Sequence, residues 1–314
     1  MLKNLKSICS KNHLKYLVFL FLGMVVAAII EMIGLSSVPL FIMIIVDIDV
    51  LVNKFPNFFA NEFIKGFDQS YLTIFGGILL ISIFLIKNVY LSLFLYFQGK
   101  VIRVLKTDIS NTLFKKYIYA SYNFHIKNNP AILVRNIHGS IQGAISTILS
   151  SLSITRESLI LVVVFILLFL NQPMVSVTVF IVLLSISGSF LYFTRKIVIR
   201  KGEEVAFVQG SKLRTINHAL GSIRETKILN RENYLVNLFN SHIYEIEKHT
   251  FFMHFLSQTP RLFLEFIAVF AVSIIAILFV LIKLSNEEIL PIISLLAVCS
   301  IRLIPAFNLI ISSL

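Results

Sequence analysis

Residues 159–186, LILVVVFILLFLNQPMVSVTVFIVLLSI, carry no charged side chain, and their apolar run is broken only at Asn171, Gln172 and Pro173. Apolar residues crowd both sides of that break. This is the pattern of two helices joined by a tight turn, with the proline placed where a helix start leaves its missing N–H without consequence. Neither half has a polar face, and a helix that is apolar all round belongs in a protein core or in lipid.

Working outward, similar runs occupy 16–46, 71–97, 144–170, 174–193, 262–282 and 289–314, six in all. The 314 residues are 57% hydrophobic and only 14% charged, with a mean hydropathy of +0.88. A soluble domain carries about 25% charged residues, so a soluble globular enzyme and a disordered chain are both excluded. The fold class expected is an all-α membrane protein with six transmembrane helices. The first run holds Glu31, Gly34 and Pro39 and is long for one span, but halving it leaves pieces short of the roughly 17 residues a span needs. It reads as one helix, kinked near Pro39.

The net charge of +12 does not gather into one basic domain, which argues against nucleic acid as a partner. It follows topology instead. The N-terminal residues before the first run hold four Lys, 98–143 seven Lys or Arg and 195–261 eleven, that is 22 of the 28. Only Lys54, Lys65 and Lys283 fall in the opposite loops. The positive-inside rule then sets both ends in the cytosol. The basic N-terminus precedes too long an apolar run for a cleaved signal. Cys9 and Cys299 are too far apart to suggest a metal knuckle, and the seven histidines show no ligand spacing, so no metal site is expected.

Connections alternate between short outer turns and long inner segments. In the first inner segment Val101, Leu105, Ile109, Leu113 and Tyr117 recur every four residues. In the second, Leu213, Ile216, Leu220 and Ile223 do so, then Leu235, Phe239, Ile243 and Ile246. These are helical periods. The second to fifth spans are therefore expected to continue as cytosolic rods that turn back near 121–130 and 221–233. Amphipathic segments lying on the membrane surface are the alternative.

Six spans, two long inner helix pairs and GSIRETKILNRENY at 221–234 resemble the transmembrane domain of type I ABC exporters. IEMIGLSSVPL at 30–40, PRLFLE at 260–265 and IRLIP at 301–305 resemble the bacterial branch that includes the lipid-linked oligosaccharide flippases. The resemblance covers the whole chain, 1–314, as one ABC transporter type 1 transmembrane domain with its last helix cut short. It implies a homodimer in a bacterial inner membrane that opens its cavity alternately to either side. It also implies a short coupling helix at each inner turn, one near Tyr122, Asn123, Phe124 and His125, the other near Ser222, Ile223, Arg224 and Glu225. The resemblance further implies that nucleotide-binding domains grip these turns; a short helix across the end of a rigid lever would transmit their motion, because packed elements move as units. The chain itself has no GxxxxGK[ST] loop. No catalytic residue is expected in it, and no cofactor. ATP and magnesium enter only through a nucleotide-binding domain encoded in cis, if the gene is interrupted, or in trans.

Glu31, Lys87, Arg156, Glu157, Glu265 and Arg302 lie within or at the edges of the spans. Unpaired, six such charges would cost on the order of 15 kcal/mol, so they must pair, reach the interface or face water. Arg156 and Glu157 point about 100° apart on a helix, which suggests different partners. Lys87 and Arg302 have no acidic residue one turn away on their own helices. With Arg261 at the mouth of the fifth span they form the candidate substrate-binding set, suited to an anionic head group. The resemblance implies that the group is a lipid's diphosphate. Glu31 and Glu265 read as partners of the cations. Gly139 and Gly143 form a GxxxG spacing that permits close helix packing.

The function expected is ATP-driven export or flipping of an amphipathic, anionic lipid-like substrate. The alternatives are a non-ABC integral membrane transporter, an inactive truncated remnant, or a membrane-bound glycan enzyme using Glu31. The abundance of Ile, Lys, Asn and Phe fits an AT-rich bacterial genome.

Overall fold

The computed structural model describes residues 11–46, 69–128, 130–171, 173–281 and 286–313. Cys9, Lys54, Lys65 and Lys283 lie outside them. Every long element among the described residues is a helix: α1 (Lys11–Val46), α2 (Gln69–Ile118), α3 (Tyr122–Lys127), α4 (Pro130–Arg135), a π-helical turn (Asn136–Ser140), α5 (Ile141–Asn171), α6 (Pro173–Gly221), α7 (Ile223–Ile228), α8 (Glu232–Leu281) and α9 (Asn286–Ser313). Six of these, α1, α2, α5, α6, α8 and α9, are long and apolar enough to cross a bilayer. The chain is an all-α, multi-pass membrane protein.

Helices α2, α6 and α8 have 50, 49 and 50 residues. At 1.5 Å per residue each is about 75 Å long, more than twice the roughly 30 Å hydrocarbon layer. The second, fourth and fifth spans therefore do continue as helices well beyond the length of a bilayer crossing. The third differs: the stretch leading into it is broken into α4 and the π turn before α5 begins. Asn136 there donates from Nδ2 to the Tyr117 hydroxyl at 3.3 Å, tying the break to α2. α1 continues through Pro39, as one helix. The hydroxyls of Ser36 and Ser37 donate to the carbonyls of Ile33 and Gly34 just ahead of the proline.

The chain divides into two compact units, residues 1–177 with 268–314, and residues 178–267. In the first, α1 packs against α2, α5 and α9, and α5 against α9. Its apolar interior includes Leu20, Met24, Phe94, Val101, Ile102, Leu105, Ile141, Ile145 and Ile148, with Ile109 and Leu113 packed against them. The four-residue period read in 101–117 is thus an inward face. The opposite face of α2 exposes Tyr71, Ile74, Ile78, Ile81, Leu85, Val89 and Leu93. Exposed apolar residues at helical spacing beside a buried apolar stripe are what lipid as solvent produces. Lys106 Nζ donates to Gln142 Oε1 at 2.7 Å across α2 and α5.

The second unit contains most of α6, α7 and most of α8. Val205 and Ile246 are buried. Leu213, Leu220 and Ile223 are exposed, while Thr215 is buried, so this periodic stripe faces outward. His249 on α8 meets Glu204 on α6 at 3.4 Å, and Lys201 and Arg200 meet the same carboxylate at 2.9 and 3.2 Å.

Candidate functional site

Glu31 sits within the buried stripe of α1 formed by Leu20, Met24, Ala27, Ala28 and Leu35. On α5 Glu157 interrupts a comparable stripe of Ile141, Ile145, Ile148, Ile160 and Val164. Charges so placed need partners, because taking an ion from water costs several kcal/mol unless it is compensated. Both have them. Lys87 Nζ of α2 lies 3.1 Å from Glu31 Oε1, and Arg302 Nε of α9 lies 3.0 Å from the same oxygen. Arg302 Nη2 reaches Glu157 Oε2 at 3.2 Å, and Arg156 holds Glu157 Oε1 through Nη2 at 3.0 Å and Nε at 3.1 Å.

Five ionisable side chains from four helices therefore form one chain of ion pairs. Arg302 is its centre, bridging the two carboxylates. Lys87 also lies over the Phe84 ring, 4.9 Å from its centroid, a favourable place for an ammonium. Glu157 Oε2 is the weak point: it is close to Arg302 but receives no hydrogen bond. The geometry there satisfies attraction at a distance and not direction.

Two sequence expectations change here. Arg156 and Glu157 pair with each other, because an arginine side chain is long enough for its end to reach a neighbour whose Cβ points about 100° away. Gly139 and Gly143 have nothing within 4 Å of where a Cβ would stand, so no close packing occurs at that GxxxG among the described residues. The close approach lies elsewhere: a Cβ on Gly34 would be 3.0 Å from Lys87 Cδ, and one on Gly23 would be 2.8 Å from Phe94 Cε2. Gly34 is one turn after Glu31, so the notch and the acid share a helix face. That i,i+3 spacing was the signal in the sequence. The partnership of Glu157 with Arg302 had none, since it joins positions on helices distant along the chain.

Of the candidate substrate-binding residues, Lys87 and Arg302 come together on Glu31. Arg261 is an exposed residue of α8 in the second unit, as is Glu265. Glu31 contacts two cations and is almost wholly buried, which leaves it no open side for acid–base work on a glycan.

The other candidate region is the pair of turns near 121–130 and 221–233, and each holds a short helix. α3 spans Tyr122–Lys127 and so contains Tyr122, Asn123, Phe124 and His125. His125 Nε2 lies 2.9 Å from the Tyr117 carbonyl oxygen, and Phe124 stacks on Tyr117 at 6.0 Å. These contacts fix α3 to the end of α2. Tyr119, Tyr122 and Ile126 stay exposed.

α7 spans Ile223–Ile228 with Ser222 at its N-cap, and includes Arg224 and Glu225. Thr226 is buried and donates to the Ser222 carbonyl at 2.9 Å. The chain then reverses at Asn230, whose φ of 49° suits asparagine better than most residues. Lys227 pairs with Glu232 at 3.0 Å. The Glu232 carboxyl is held below its ordinary value, chiefly by its own backbone N–H at the start of α8 and then by Lys227. Beside α7 opens a cleft of about 330 Å³ lined by His218, Glu225, Leu229, Arg231 and Tyr234, among others. Ile223, Ile228 and Leu229 are exposed around it.

No protein-family model matches this chain, and no curated protein matches it.

Proposed function

We propose that the chain is the membrane-spanning half of an ATP-driven ABC-type exporter that flips an amphipathic anionic lipid. The observation that carries this reading is the pair of short helices, Tyr122–Lys127 and Ile223–Ile228, each placed where long helical rods turn back. A short helix fixed across a rod's end, as α3 is by Phe124 and His125, passes a push from a docked domain into the rod without dissipating it in loop motion. Exposed Tyr122, Ile126, Ile223 and Ile228 offer apolar contacts at both ends.

In this reading the inner turns face the cytosol, two copies of the chain enclose the cavity, and a nucleotide-binding domain encoded in cis or in trans supplies ATP and magnesium chemistry. Closing of the partner domains moves α3 and α7, and the helices tilt to expose the cavity to the other side. Lys87 and Arg302, which meet on Glu31, face the anionic head group.

The test starts from the DNA flanking this coding sequence, read for an ATPase with a phosphate-binding loop. That ATPase, co-reconstituted with the chain, should drive ATP-dependent movement of a fluorescent anionic lipid between vesicle leaflets. Tyr122→Asp with Ile223→Asp should abolish the movement while the protein remains folded in the membrane. Movement without nucleotide, or unaffected by the double variant, would overturn the reading.

A further inference from the structure

Lys87, Arg156 and Arg302 face two carboxylates, Glu31 and Glu157, so the cluster keeps one formal positive charge. The surplus has a direction. The carboxylate side chains are 4% and 3% exposed, whereas Lys87, Arg156 and Arg302 are 11%, 19% and 25% exposed. The anions are therefore sealed and the cations keep an accessible edge. On both guanidinium groups the ion pairs use Nε and Nη2, and Nη1 has no partner among the described residues. Glu157, gripped by Arg156 on one oxygen and Arg302 on the other, holds these two groups on either side of one carboxylate.

We infer that this cluster is a binding site for an anion of a single negative charge, a phosphodiester head group in chemical class, and that Glu31 and Glu157 set that charge preference. One negative charge brings the cluster to neutrality. A second would be uncompensated beside the sealed carboxylates, where like charges in an apolar surround repel strongly. A phosphodiester offers two equivalent oxygens, one to the Nη1 group of each guanidinium, as charge-assisted hydrogen bonds. A phosphomonoester carries about −1.5 to −2 at neutral pH and does not match. The charge count thus departs from the diphosphate that the resemblance implies. This inference rests on the anion contact in the proposed function and is independent of the ATPase.

The experiment is equilibrium dialysis of the purified full chain in detergent at pH 8 with two radiolabelled probes of equal tail, decyl methyl phosphate and decyl phosphate. The wild type should bind the diester about tenfold more tightly, a difference of about 1.4 kcal/mol. Glu31→Gln and, separately, Glu157→Gln each raise the cluster to two positive charges and should reverse the preference. Because the readout is a ratio on one protein sample, partial misfolding lowers both affinities and leaves the ratio interpretable.

Tighter binding of the dianion by the wild type, or a ratio unmoved in both variants, overturns the charge selection while leaving anion contact intact. Binding of neither probe, or binding unchanged in Lys87→Ala with Arg302→Ala, overturns the anion contact and the inference with it. Competition by dimethyl phosphate, which has the head group and no tail, separates a free anion from a lipid-borne one.

Discussion

Lys87 reaches Glu31 past Gly34: Nζ and Oε1 are 3.1 Å apart, and a Cβ at position 34 would stand 3.0 Å from the lysine's Cδ. The acid, the notch and the cation are one device. Gly34→Ala should force the anchored lysine stem aside and destabilise the protein by about 1 to 3 kcal/mol, the usual range for overpacking. Thermal unfolding in detergent measures it. In a Lys87→Ala background the same substitution should cost far less, and an equal loss in both backgrounds would show that the crowding lies elsewhere.

Glu31→Ala removes the shared partner of two cations, Lys87 and Arg302. Breaking a buried pair on one side typically costs about 3–5 kcal/mol, so this variant should unfold well below the wild type. Glu247→Ala, an exposed position on α8, should change stability by less than about 0.5 kcal/mol. Equal denaturation midpoints for the two variants would contradict the ion-pair chain.

Gly143→Ala meets nothing within 4 Å and lies inside α5. Alanine gains up to about 1 kcal/mol over glycine in a helix interior. The variant should therefore be as stable as the wild type or more so. Loss of stability that depends on protein concentration would reveal a second copy packed at that glycine.

Glu204, on α6 beyond the apolar run, has its carboxyl held below the ordinary value of 4.5, first by the hydrogen bond from Lys201, with the charges of Lys201, His249 and Arg200 adding to it. Partial burial acts the other way, second in size only to that hydrogen bond. A carboxyl with a depressed folded-state value stabilises fully above its unfolded value, and that gain is lost as the pH falls through the folded one. Wild type and Glu204→Gln should thus differ in urea midpoint at pH 6, and the gap should narrow as the pH falls below 4.5 and through the depressed folded-state value. A gap that stayed constant to pH 3 would refute a role for the ionised carboxylate.

The helical class and the six membrane segments were legible in the chain itself. A run such as 159–186 can satisfy its backbone in lipid only as helix, whatever its neighbours do. The turns at 121–130 and 221–233 were legible too, as breaks in a four-residue period. That period did not tell which face is covered: Val101 and Leu105 are buried, Leu213 and Leu220 are exposed. Periodicity fixes a stripe, and only a packed neighbour makes it an inside.

The six intramembrane charges could be listed from sequence, and pairing among them followed from the cost of leaving them bare. Which ones meet could not be read. Glu31, Lys87, Glu157 and Arg302 lie on four helices, and a contact between them depends on helix rotation and depth, quantities that no local window contains. Residue types determined that this protein crosses the membrane and must neutralise its buried charges. Tertiary packing decided that Arg302 joins both carboxylates, that Gly34 opens the path for Lys87, and that the cations keep the accessible edge. The physical reason is range: helix formation and transfer to lipid are settled residue by residue along the chain, whereas a 3 Å ion pair between helices exists only after the whole bundle has set their register.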